Sequence, residues 1–178
     1  MNTEEFERAQ REREYFHRLT VLPGAWTVLR LDGRGFSATT ETLLNELGAR
    51  YGYTESDEIS LLLRPGFDLF GRSVEKLVSV SAGIASATFT HAAGVPAHFD
   101  SRLWLGTTIA DVADYFSWRQ SDAARCALNG WSYWTLRKAG QSRQQATRAL
   151  EGMSTSAKNE LLSYRRLIEE IASETPGG

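Results

Sequence analysis

Three acidic residues carry most of the chemistry this sequence can offer. Asp32 ends the apolar run in VLRLDGRGF, and Asp57 and Glu58 sit side by side in YGYTESDEISLLL. Each borders residues of strand character, where a carboxylate is costly to bury unless a cation meets it. Gly33 and Gly35 follow Asp32, and glycine lets the backbone turn sharply and bring a carbonyl close to a ligand. Oxygen donors of this kind suit magnesium, which is commonly held by one or two carboxylates plus substrate phosphates. Two such ions can activate a hydroxyl and stabilise a leaving pyrophosphate in nucleotidyl transfer. Asp-Gly and Ser-Asp are also ordinary surface-turn pairs, so spacing alone leaves both readings open.

Basic residues accompany the acids. Arg30, Arg34, Arg72 and Lys76 are expected near them and can hold a triphosphate. Arg72 and Lys76 fall one turn apart on an expected helix, where the alternative is a solvated face paired with Glu75. A second set, Arg119, Arg125, Arg137, Lys138, Arg143 and Arg148, is interleaved with Trp118, Trp131 and Trp134. It offers a nucleic-acid surface, although most of these aromatics read more simply as core. His17, His91 and His98 show no ligand spacing. Cys126, the single cysteine, reads as a small core residue and excludes an internal disulfide or a multi-cysteine zinc site.

The elements that position these residues follow from periodicity. Ala25–Leu31 reads as a strand that places Val28, Arg30 and Asp32 on one face and Leu29 and Leu31 on the other. A short helix is expected at 41–47, and strands at 49–54 and 58–63 are joined through Glu55-Ser56-Asp57. A long helix follows over about Gly71–His91, with Leu77, Val80, Ile84 and Thr88 as its stripe. A strand at His98–Leu105 completes the order β-α-β-β-α-β, the split βαβ or ferredoxin-like arrangement of an α+β fold. In that arrangement the first and third strands are central neighbours, which brings Asp32 to the Asp57-Glu58 turn. Strand alternation points Asp57 and Glu58 to opposite faces, with Asp57 sharing a site with Asp32.

Beyond the sheet the chain reads as helical. A helix over Ile109–Ala139 carries Val112, Phe116, Ala123, Ala127, Trp131 and Trp134 as its stripe. Ser142–Leu150 follows, and Ser154 or Ser156 is a candidate cap for the last helix. Residues 3–19, dense in Glu and Arg, read as a docking helix.

The 178 residues, 42% hydrophobic and 24% charged, are those of a folded chain. The net charge of −2 gives no global nucleic-acid signature, so a polyanion must be met by a local patch. The charged N-terminus is unlike a secretory signal and no apolar run reaches membrane-spanning length. A soluble cytoplasmic protein with no membrane partner is expected.

Taken together, RLDGRGF at 30–36, YTESDEISLLL at 53–63, LFGRSVEK at 69–76, HFDSRLW at 98–104, DYFSWRQSD at 114–122 and KNELL at 158–162 resemble the tRNA-His guanylyltransferase family. The similarity is closer to its bacterial and archaeal Thg1-like branch. The resemblance implies one catalytic domain over 1–178, with a polymerase-type palm core at about 24–106 and additional C-terminal helices at about 107–173. It implies template-directed 3′-to-5′ addition at the 5′ end of tRNA, with ATP, GTP and other nucleoside triphosphates as substrates. A 5′-monophosphate is activated with ATP, or a 5′-triphosphate is used directly, and the 3′-hydroxyl of the incoming nucleotide attacks that end. By matched motif, Asp32, Asp57 and the Gly33 carbonyl are implied as ligands of two Mg²⁺ ions, with Glu58 in support and Ser56 in the same signature. Arg72 and Lys76 match triphosphate-handling residues, and Lys158 and Asn159 match a further polar motif. Arg119, Arg125, Lys158 and Asn159 are expected on the tRNA side. A homo-oligomer, a tetramer by resemblance, is implied.

The sequence also departs from the family. Where the guanylyltransferases proper carry His-Ile-Asn-Asn, it has Ala124-Arg125-Cys126-Ala127. That favours 5′-end repair of truncated tRNAs over dedicated addition of the extra guanosine to tRNA-His. Only SATTETLLNEL lies between RLDGRGF and the next strand, which leaves the local helix cramped, and after Leu162 the sequence differs from the family's usual continuation. The alternatives are a guanylyltransferase proper, a nucleotidyl or diguanylate cyclase, and a non-catalytic tRNA-binding protein. The SDE turn lacks the cyclase GG(D/E)EF pattern, and binding alone would not need the acid cluster.

Overall fold

Short apolar runs that alternate with polar residues build a four-stranded antiparallel sheet in the order β2-β3-β1-β4. The computed structural model describes residues 3–13, 18–33 and 37–174, and the chain divides into two units, 1–117 and 118–178. In the first unit, α1 (Thr3–Arg11) precedes β1 (Trp26–Asp32), α2 (Ser37–Glu46), β2 (Tyr51–Glu55) and β3 (Glu58–Leu63). Then come α3 (Val74–Ala93), β4 (Asp100–Gly106) and the start of α4 (Ile109–Lys138). This is the α+β, split βαβ arrangement expected from the sequence, with β1 between β3 and β4. Ser37–Glu46 makes nearly three helical turns between β1 and β2, so the short intervening segment does hold a helix.

The two faces of the sheet have different partners. Leu29, Leu31, Ile59, Leu61 and Leu63 are fully buried and pack with Leu43 of α2, with Leu47 in the turn that follows it, and with Leu77 and Ala85 of α3. Each such side chain contributes about 1.5–3 kcal/mol on burial. Val28 and Leu62, on the opposite face, pack with Val112 and Tyr115 of the first turns of α4. The Tyr115 hydroxyl and Ser60 Oγ share a buried hydrogen bond of 2.9 Å through that face.

Two helix details differ from the sequence reading. α3 begins at Val74 rather than Gly71, because Phe70, Gly71 and Arg72 all take positive φ and Ser73 caps the helix by accepting from Lys76 N. Its buried line is Leu77, Ser81 and Ala85, one residue beyond the expected stripe. Small residues there let α3 approach β4, and Ser81 Oγ donates to Ser101 Oγ at 2.8 Å. The expected N-terminal helix is described only to Arg11; residues 14–17 lie outside the described residues.

In the second unit α4 continues to Lys138, followed by α5 (Arg143–Leu150) and α6 (Thr155–Glu174). Ser142 and Gln145 form a reciprocal capping box at the start of α5. Ser154 Oγ accepts from Ala157 N at the start of α6. The aromatics expected in the core are exposed: Trp118 by 53%, Trp131 by 65% and Trp134 by 62%. Cys126 is exposed as well. The buried positions of this part of α4 are Arg119, Ser132 and Leu136, none of them a tryptophan.

Candidate active site

The end of β1 meets the starts of β3 and β4, and the register makes that edge acidic. Asp32 is directly opposite Glu58 on one side and Asp100 on the other, and Glu58 is opposite Glu55. Directly paired residues share a face, so Glu55, Glu58, Asp32 and Asp100 form one row across four strands. Like charges placed directly opposite one another are destabilising. The next row supplies Arg30 and Arg102. Arg30 Nε lies 4.0 Å from Glu58 Oε1, and Arg102 lies 3.5 Å from Asp100. These two rows hold two guanidinium groups and four carboxylates.

Asp57 joins this edge through the backbone. Ser56 and Asp57 form a two-residue turn between β2 and β3, with Ser56 at φ 49° and exposed. Gly33 N donates to Asp57 O at 2.7 Å, tying the turn to the end of β1. On its other side Gly33 lies against the Phe99 ring, and a Cβ at this position would be 2.2 Å from Phe99 Cδ1 and Cε1. Only glycine fits between the ring and the turn. The wall before β4 is itself pinned to α3: Ala97 N donates to Thr90 Oγ1 at 3.1 Å and Phe99 N donates to Ser86 Oγ at 3.0 Å.

A cavity of about 790 Å³ opens at this edge, lined by Asp32, Gly33, Asp57, His98 and Asp100 with an apolar wall that includes Phe89 and Phe99. That volume lies in the range of small-molecule and cofactor sites. The donor set fits a hard divalent cation: carboxylate oxygens of Asp32 and Asp57 and the backbone oxygen of Gly33, with no sulfur. Glu58 sits in the same row as Asp32 but pairs with Arg30. Asp100 and His98 were missed by the sequence reading. Asp100 was within reach of it, because pairing β4 with β1 in register sets the first residue of DSRLWLG beside Asp32.

The structure does not bring every expected residue to this edge. α3 runs back toward the Asp57 end, so Phe89 near its C-terminus lines the cavity. Lys76, thirteen residues earlier, is about 20 Å away along the helix. Arg72 has another task. Its guanidinium donates to the carbonyls of Val21, Leu22, Pro65 and Phe67 and stacks over the Phe67 ring at 4.4 Å. The expectation that Arg72 and Lys76 lie near the acids fails because a helix following β3 starts at the far end of that strand. Arg34 lies outside the described residues.

In the second unit, Arg119 is buried, paired with Asp122 at 3.1 Å and set over the Trp118 ring at 4.6 Å. Arg125 pairs with the same carboxylate, and its hydrogen bond is the main cause holding Asp122 below the usual carboxylate range. Lys158 is half-buried and Asn159 exposed in the first turns of α6.

Known proteins match both units. The family model described as tRNAHis guanylyltransferase matches residues 37–107, and the Thg1 C terminal domain matches 110–171. The chain is 32% identical to the tRNA(His) guanylyltransferase of Debaryomyces hansenii, over 86% of this chain and 69% of that protein. The chain belongs to the tRNA(His) guanylyltransferase family. A probable tRNA(His) guanylyltransferase of Dictyostelium discoideum is 30% identical over 82% of this chain and 69% of its own. Among solved structures of the family, the Saccharomyces cerevisiae tRNA(His) guanylyltransferase superposes with a TM-score of 0.75 at 23% identity, covering 86% of this chain and 81% of that one. A bacterial Thg1-like protein in complex with GTP gives 0.59 at 25%, covering 68% and 72%. The first family match begins at residue 37, so Asp32 and Gly33 enter the site by geometry rather than by that match.

Proposed function

We propose that this member of the family is a nucleotidyltransferase that adds nucleotides in the 3′-to-5′ direction to the 5′ end of tRNA, with repair of truncated ends as its mode. The observation that carries the reading is the convergence of Asp32, Gly33 and Asp57 on one cavity at the acidic sheet edge. Relatives named tRNA(His) guanylyltransferase support tRNA as substrate. Bacterial Thg1-like proteins in complex with GTP and with ATP support nucleoside triphosphates at the site.

Asp32, Asp57 and the Gly33 carbonyl would hold Mg²⁺, which supplies charge neutralisation of phosphate oxygens and promotes ionisation of a hydroxyl. The chain's own part is placement. The Gly33–Asp57 hydrogen bond fixes the turn carboxylate relative to Asp32. Phe89 and Phe99 form an apolar wall that would strengthen electrostatic interactions beside them when substrate displaces water there. In the proposed reaction a bond forms between the 3′-oxygen of the incoming nucleotide and the 5′-phosphorus of the RNA. The hydroxyl proton is lost, and AMP leaves from an adenylylated end or pyrophosphate from a triphosphorylated one. Ala124-Arg125-Cys126-Ala127, in place of His-Ile-Asn-Asn, supports repair over addition of the extra guanosine.

The test is extension of a tRNA lacking its first 5′ nucleotide, with Mg²⁺ and all four nucleoside triphosphates. The expected result is a template-matched nucleotide at the 5′ end, abolished in Asp32→Asn and in Asp57→Asn. Full extension by Asp57→Asn would overturn the metal assignment. Addition only to intact tRNA-His would overturn the repair mode.

A further inference from the structure

The second unit carries a cationic pocket that the proposed chemistry does not use. A cavity of about 260 Å³ is lined by Thr135 and Lys138 of α4 and by Leu162, Arg165 and Arg166 of α6. Among the described residues, three cations and a hydroxyl line it, and no carboxylate does. Among the described residues, no side-chain ion pair engages Lys138 or Arg165. Arg137, their neighbour, serves the helix end instead by donating to Gln141 O at 2.7 Å. The charge of the chain is divided in the same sense. Residues 118–178 hold nine Lys and Arg against six Asp and Glu, whereas residues 1–117 hold eleven against sixteen.

Aromatic surface adjoins the pocket on the same helices. Trp131, Trp134, Thr135 and Lys138 follow the i, i+3, i+4, i+7 spacing of one helix face. Trp131 and Trp134 are more than three-fifths exposed. Lys158, Leu162, Arg165 and Arg166 follow the same kind of spacing along α6. Large exposed rings beside cations that can grip a phosphate are what an unpaired nucleotide needs: π-faces for its base and charge for its backbone. A second copy of this chain is less well matched, because a two-fold contact through this patch would set Lys138 and Arg165 against their own equivalents.

We infer that Lys138, Arg165 and Arg166, with Thr135, form a phosphate pocket that holds the backbone of an unpaired RNA segment whose base stacks on Trp134 and Trp131. The inference rests on the proposed reading of RNA as substrate, but its test is read without catalysis. Binding of a labelled short single-stranded RNA is measured by fluorescence anisotropy across a salt series, for the full chain and for Lys138→Gln/Arg165→Gln. Removing the two charges lowers affinity about tenfold and reduces the slope of log K against log salt by about 0.7 for each phosphate no longer neutralised. A second variant, Trp134→Leu, lowers single-strand affinity about fivefold or more with the slope unchanged. A blunt RNA duplex, which offers no unpaired base, shows little effect of Trp134→Leu. Inorganic pyrophosphate as competitor distinguishes a site for free phosphates: full displacement of the RNA at low concentration would overturn the backbone assignment. Unchanged affinity and slope in folded variants would overturn the pocket. A change in molecular mass by light scattering would reassign the patch to self-association. If 5′ extension fails in the wild type while these shifts appear, the reaction falls and the RNA pocket stands. If extension occurs and the shifts do not, the pocket falls alone.

Discussion

Gly33→Ala puts the geometry of the acidic edge to a direct test. The added Cβ would sit 2.2 Å from two atoms of the Phe99 ring and 2.6 Å from a third. Ordinary carbon contacts lie at about 3.5–4.0 Å, so the ring or the strand end must retreat by about 1.3 Å or more. Phe99 has little room to do so. It is 8% exposed, its ring centroid is 6.0 Å from that of Phe89, and its N–H is bonded to Ser86 Oγ. Overpacking of this kind costs roughly 1–3 kcal/mol, which for a chain of this size lowers the melting temperature by roughly 2–12 °C. The functional loss is expected to be larger than the loss of stability. Gly33 also carries the hydrogen bond to Asp57 O, so a shift of about 1 Å displaces both proposed ligand groups and costs on the order of 100-fold in rate. Thermal unfolding and single-turnover 5′ extension measure the two effects. Phe99→Leu, by freeing space, is expected to return part of both losses when combined with Gly33→Ala. An unchanged melting temperature and rate in Gly33→Ala, or full additivity in the double variant, would refute the clamp.

Three further outcomes follow from interactions elsewhere. Arg72→Lys removes a fork that reaches four carbonyls and should cost about 3 kcal/mol or more, read as a lower denaturant midpoint. Nucleoside triphosphate KM should not change, since the guanidinium serves the backbone. Tyr115→Phe leaves buried Ser60 Oγ without that hydroxyl and should destabilise by roughly 1–3 kcal/mol in the same measurement. Asp111 accepts from the backbone N–H groups of Thr108 and Thr107 at the start of α4, and these bonds hold its carboxyl below the usual range. A depressed folded pKa gives stability that is present above the ordinary carboxylate value of about 3.9 and lost as pH falls through the folded value. Melting curves between neutral and acid pH should therefore show this contribution in the wild type and not in Asp111→Asn.

The sheet was legible because its information is local. Alternation in β1 fixes which residues share a face, and Val28 and Arg30 do face away from Leu29 and Leu31 as that rule requires. Topology then placed Asp32 beside the Asp57 turn. Other features needed knowledge that no window of sequence holds. The start of α3 was displaced by three consecutive residues at positive φ, two of them non-glycine, which propensity does not foresee. The tryptophans of α4 carry an apolar signal that says core, yet the helix buries Arg119, Ser132 and Leu136 instead. Periodicity gives a stripe, but not which side of that stripe meets a partner.

The misplaced basic residues show where topology should have overruled composition. Arg72 and Lys76 were drawn to the acids because triphosphate chemistry wants cations. The split βαβ order decides otherwise: β3 leads away from Asp57, and α3 must return the same distance before it reaches the edge. Its first turn is therefore remote, and its last turns, with Ser86, Phe89 and Thr90, are the ones that build the wall. The same reasoning recovers Asp100, since a strand that follows α3 and pairs antiparallel with β1 must begin beside Asp32. The meeting of acids at that edge is thus a consequence of strand register, and Arg30 and Arg102 of the neighbouring row pair with Glu58 and Asp100. Register therefore decides which carboxylates meet at the cavity: Asp32 and Asp100 line it together although 67 positions separate them in the sequence.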